Sequence, residues 1–129
     1  MDIKRVIYVE DSISKYMDIS TFLKKQGIRS VDWFKNAEDA LYSIEESYDK
    51  SEPYDLLISD MHFDFFGNDD KEAGEKLVKL LREKGYKIPV VFCSSQNWSM
   101  DDCLGNIFYN PYRDWEIEAE ELIRKIRKL

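Results

Sequence analysis

The chain has 129 residues, of which 43% are hydrophobic and 35% charged, which excludes a disordered tail and gives one domain's worth of sequence over 1–129. Two cysteines, Cys93 and Cys103, are too few for a disulfide scaffold. The formal net charge of −7 argues against a nucleic-acid partner and suits a metal cation or a basic protein partner.

Apolar runs alternate with helix-period segments from end to end. Arg5-Val6-Ile7-Tyr8-Val9 reads as a first strand. Ser12 to Gln26 reads as a helix, with Ile13, Tyr16, Met17 and Leu23 at helical spacing and Gly27 as its stop. Val31 to Phe34 is a weaker strand. Asn36 can cap a second helix whose inner face is Ala37, Ala40, Leu41 and Ile44. The polar stretch from Ser47 to Tyr54, with Pro53, is a loop, and Leu56-Leu57-Ile58-Ser59 a third strand.

Asp60 to Lys71 reads as a long polar and aromatic loop. Ala73 to Lys84 is helical, with Ala73, Leu77, Leu80 and Leu81 inward and Gly85 as its end. Val90-Val91-Phe92-Cys93 follows Pro89 as a fourth strand, with Cys93 a small buried hydrophobe. Ser94 to Gly105 has room for a turn or two of helix. Asn106 to Tyr109 is a fifth strand, and Asp114 to Lys128 a last helix with Ala119, Leu122, Ile123 and Ile126 inward. Strand–helix alternation of this kind implies an α/β parallel sheet with helices on both faces. The runs at 6–9, 56–58 and 90–93 are the most apolar and are expected at its centre. The start, Met1-Asp2-Ile3-Lys4-Arg5, shows no signal-peptide pattern, no run is long enough to enter a membrane, and a reducing cytoplasm is the expected compartment.

Ligands of open α/β sheets gather beyond the carboxyl ends of the strands. Here those ends are Glu10-Asp11, Asp60, Ser94-Ser95 and Asn110-Pro111. Three carboxylates brought to one rim repel, and a divalent cation relieves that conflict. An all-oxygen donor set suits Mg²⁺ rather than Zn²⁺. One carboxylate can then act as a nucleophile toward phosphorus, and a hydroxyl across the pocket can bond a phosphoryl oxygen.

These strand ends, taken together, resemble the receiver domain of two-component response regulators over nearly the whole chain. The resemblance implies a flavodoxin-like (βα)5 fold with a five-stranded parallel sheet in the order 2-1-3-4-5. It implies Mg²⁺ held by Glu10, Asp11, Asp60 and the His62 backbone carbonyl. It also implies Asp60 as phosphoacceptor and Ser94 as switch hydroxyl. The partners implied are a histidine kinase or phosphotransfer protein and an output protein of unknown kind, with the chain a phosphoacceptor and not a turnover enzyme.

The sequence departs from the family at several places. Asn110 stands where the family has a lysine before proline, so a phosphoryl group there meets no cation from that strand end. Lys71 and Lys87 are other lysines that could serve, but their spacing gives no support. Ile107 stands at the aromatic switch position, and the fourth helix is shortened. The segment after Asp60 carries Phe63, Phe65 and Phe66, either a lid over the pocket or an anchor for the loop. Trp98, Tyr109, Tyr112 and Trp115 either line a partner face or pack around the short helix. The alternative function is a degenerate receiver that binds a partner without phosphorylation. A metal-dependent phosphohydrolase is disfavoured, because Asp60-Met61-His62 lacks the Asp-x-Asp pattern of that class.

Overall fold

The computed structural model describes residues 1–96 and 100–129. Among these residues seven strands and four helices follow in the order β1 (Arg5–Val9), α1 (Ile13–Lys25), β2 (Ser30–Phe34), α2 (Ala37–Asp49), β3 (Leu56–Ser59), β4 (Phe63–Phe65), β5 (Asn68–Asp70), α3 (Ala73–Glu83), β6 (Val90–Ser94), β7 (Gly105–Phe108) and α4 (Glu116–Arg127). Five of the strands form one parallel sheet in the order β2-β1-β3-β6-β7. This is the expected 2-1-3-4-5 order with a two-stranded hairpin, β4–β5, inserted after the third sheet strand. The central strands β1, β3 and β6 are the buried ones, as their unbroken apolar runs require.

Alternate residues of each strand feed two cores. Val6, Tyr8, Ile58, Val91 and Cys93 pack with α1 and α4 on one face. Ile7, Val9, Leu57, Val90 and Phe92 pack with α2 and α3 on the other. No helix of the described residues is long and apolar enough to cross a membrane.

Two expectations change here. The inner stripe of α1 is Lys15, Ile19, Phe22 and Leu23, at i, i+4, i+7 and i+8. Ile13 and Met17 fall on the opposite face and are 58% and 60% exposed. A lysine therefore heads the apolar face of this helix. The segment after Asp60 is not an irregular loop: Phe63↔Asp70, Asp64↔Asp69 and Phe65↔Asn68 pair as an antiparallel hairpin. Phe66 (φ 53°) and Gly67 (φ 94°) make its two-residue turn, both in the left-handed region that a tight hairpin of this hand demands. Phe63 is fully buried and Phe65 packs against the same core, so these rings anchor the hairpin and do not cover a pocket.

Between β6 and β7 the described residues form bends and turns without a helix. The expected short helix falls partly, and Trp98 wholly, outside the described residues. Tyr109 and Trp115 pack together in the core at a ring separation of 5.4 Å, whereas Tyr112 is 96% exposed. Ile107 is buried as well.

Candidate functional site

The carboxyl ends of β1, β3 and β6 open on a cleft of about 750 Å³. Its wall includes Lys15, Asp60, His62, Ser94 and Asn110. Glu10 follows β1 and is 1% exposed, and Asp11 beside it is exposed. Ser12 caps α1, its Oγ accepting from Lys15 N at 3.4 Å. One carboxylate oxygen each of Glu10, Asp11 and Asp60 lies within 4.8 Å of the others. The sequence-based trio thus converges.

The group that completes the cluster is Lys15. Its ammonium lies 3.0 Å from Glu10 Oε1 and 3.0 Å from Asp60 Oδ1, and donates to the Cys93 carbonyl at 2.8 Å. Three N–H donors meet three acceptors. The lysine side chain is 11% exposed, so this is a buried ion pair. Sequence reasoning looked to Lys71 and Lys87 and missed it. The usable signal was its place three residues after a helix cap: side chains on a first turn lean back toward the helix N-terminus, which here faces the acidic rim.

The carboxylates differ in how they are held. Glu10 Oε1 also accepts from Tyr8 Oη at 2.9 Å, and Oε2 from Ser12 N at 3.3 Å. Burial raises the Glu10 carboxyl to about 7, with Lys15 opposing the rise and Asp60 adding to it. Burial would lower the Lys15 ammonium, but the Cys93, Glu10 and Asp60 charges outweigh it and leave the pKa above the ordinary lysine value. Asp60 is asymmetric. Oδ1 accepts from Lys15 Nζ and from Met61 N at 2.8 Å, while no hydrogen bond among the described residues reaches Oδ2. The strand end itself is fixed by Asp60 N donating to Val9 O at 2.9 Å and Ser59 Oγ donating to Asp60 O at 2.7 Å.

The remaining residues differ in what they do. Ser94 is buried, with its Oγ accepting from Gln96 N at 3.1 Å. Ser95 is exposed. Asn110 does not reach toward Asp60: its Oδ1 accepts from Tyr112 N at 2.9 Å and caps the turn after β7. The His62 ring turns outward across the hairpin, with Nε2 2.9 Å from Asp69 Oδ2, and that bond raises its pKa. Lys71 is exposed at the cleft wall, and Lys87 is not part of it.

No family model matches the chain. It is 28% identical over 124 residues to the transcriptional regulatory protein DltR of Streptococcus agalactiae, covering 95% of this chain and spanning half the length of that relative. The receiver domain of the hybrid histidine kinase CckA is 27% identical, with a TM-score of 0.62 and coverage of 95% and 98%. The receiver domain of the histidine kinase CKI1 from Arabidopsis thaliana, solved with Mg²⁺ and BeF₃⁻, superposes with a TM-score of 0.65 at 18% identity, over 98% of this chain and 91% of that one. A structure of RcsB dimers bound to DNA superposes with a TM-score of 0.72 at 13% identity, over 98% of this chain and 65% of that one. The expectation of no nucleic-acid partner, drawn from net charge, is thus not supported, since a protein of this fold is seen on DNA. By sheet order, by the acids at its strand ends and by these likenesses, the chain has the fold of a receiver domain and is similar to the receiver domains of two-component response regulators, with Asn110 at the strand end where those are expected to carry lysine.

Proposed function

We propose that the chain accepts a phosphoryl group on Asp60 from a histidine kinase or phosphotransfer protein and passes the change to a protein partner. The observation that carries this reading is the unequal pair of oxygens on Asp60. Asp60 lines the cleft; its Oδ1 is held by an ammonium and an amide, and no hydrogen bond from the described residues reaches Oδ2. In the transfer, Oδ2 bonds to phosphorus and the donor's P–N bond breaks. The electron pair returns to the imidazole nitrogen, which takes a proton from water.

The donor set fits Mg²⁺, since every converging side chain offers a hard oxygen. Asp11, Asp60 and the His62 carbonyl would hold the ion. Both Glu10 oxygens are already engaged, so Glu10 serves the site by fixing Lys15. When bound, the ion neutralises charge on the transferring phosphoryl group. Ser94 Oγ, bonded among the described residues to Gln96 N, is the hydroxyl that would turn toward a phosphoryl oxygen.

Acid-labile phosphate incorporation from acetyl phosphate, in wild type and Asp60→Asn, tests the reading. Label in the first and none in the second supports it; equal labelling ends it. A second reading, a binding module that is never phosphorylated, is favoured by the commitment of Asn110 to its turn. Beryllofluoride with Mg²⁺ separates the two: amide shifts centred on Asp60 support the switch, and an unchanged spectrum the module.

A further inference from the structure

Asn110 brings no charge to the cleft, yet a buried ammonium already lies against Asp60. We propose that Lys15, from the first turn of α1, is the cationic partner of the Asp60 phosphoryl group and the resident counter-ion of the acidic cluster. The inference rests on the phosphoacceptor reading above.

Three observations support it. The ammonium is fixed in place, because all of its donors are used on Glu10 after β1, Asp60 after β3 and the Cys93 carbonyl of β6. It bonds the oxygen of Asp60 that is not free to attack, so it stabilises the carboxylate without blocking Oδ2. The Tyr109 ring lies 5.7 Å from the ammonium, within cation–π range. Rescue of the labelling rate by a lysine placed at 110 separates this role from that of a purely structural buried pair.

In the labelling step with acetyl phosphate, Asp60 Oδ2 bonds to phosphorus and the P–O bond to acetate breaks. Acetate leaves with the electron pair, and total charge is unchanged. Lys15 remains protonated throughout and keeps its bond to Asp60 Oδ1, its positive charge lying beside the transferring group.

The experiment uses wild type, Lys15→Met, and Lys15→Met with Asn110→Lys, each checked for folding by circular dichroism. If Lys15→Met does not fold, Lys15→Gln replaces it in the same comparisons. With saturating Mg²⁺, the single variant is expected to label roughly 10²-fold more slowly, as for loss of one preorganised donor to a developing oxyanion. The added lysine at 110 is expected to recover most of the rate. Without any phosphodonor, Mg²⁺ affinity is read from Trp33, whose Nε1 donates to Glu10 O at 2.7 Å. Removing the ammonium is expected to tighten Mg²⁺ by about tenfold or more, since a like charge leaves the site. Wild-type labelling that persists undiminished in the Lys15 variant overturns this inference alone, as does an unchanged Mg²⁺ affinity. No label in any of the three proteins overturns the phosphoacceptor reading, and this inference with it.

Discussion

Gly74, in the first turn of α3, lies directly behind the end of β3. A Cβ built there would stand 2.3 Å from the Asp60 backbone oxygen and 3.1 Å from Met61 Cα. Real Cβ atoms do not approach closer than 3.0 Å, and both neighbours are backbone, so no side chain can swing aside. The helix would have to withdraw, straining the bond from Gly74 N to Met61 O, now 3.0 Å. Ala in a helix interior gains about 1 kcal/mol over Gly. Overpacking of a rigid contact costs roughly 1–3 kcal/mol and more where backbone must move. The net expectation for Gly74→Ala is a loss of about 2 kcal/mol, against the helix-propensity trend. With a urea m-value of roughly 1–3 kcal/mol/M, the unfolding midpoint should fall by about 1 M. A variant as stable as wild type, or more so, would refute the claim that α3 seats on the Asp60 peptide.

Other outcomes follow from single features. Phe63→Ala removes a fully buried ring that anchors the hairpin and should cost about 3–5 kcal/mol in urea unfolding; a loss below about 1 kcal/mol would mean the hairpin is held elsewhere. Burial and the bond to Asp18 raise the Tyr109 phenol from 10.0 to about 12. The folded chain therefore keeps a proton that the unfolded chain releases, and stability falls as pH rises between those two values. Tyr109→Phe should flatten that slope, and equal losses between pH about 9 and about 11 in both proteins would count against it. Burial pushes the Cys93 thiol up to about 12, so a thiol reagent at pH about 8 should reach it only after unfolding.

The sheet was legible because its central strands carry unbroken apolar runs, and no helix could hide Val6 to Val9 or Val90 to Cys93 from water as cheaply. Glu10, Asp11 and Asp60 were legible because strand ends in such sheets point to one rim. The hairpin was not: Asn68-Asp69-Asp70 is a poor strand former, and its pairing is held by the burial of Phe63, a long-range contact. Its turn was also masked by a phenylalanine at a left-handed position usually given to asparagine or glycine. Lys15 was overlooked for a similar reason. A lysine inside an apolar stripe reads as an interruption of the pattern, and only the acids from two other chain segments make its burial tolerable.

The inequality between the two oxygens of Asp60 bears on how long a signal would last. An anhydride formed on Oδ2 leaves Oδ1 as its acyl oxygen, still gripped by Lys15 and the Met61 amide. The same grip favours the carboxylate that departs when the anhydride splits. A mark written on this residue would thus carry its own eraser, and the timer would be set by a lysine in the first turn of the chain's first helix.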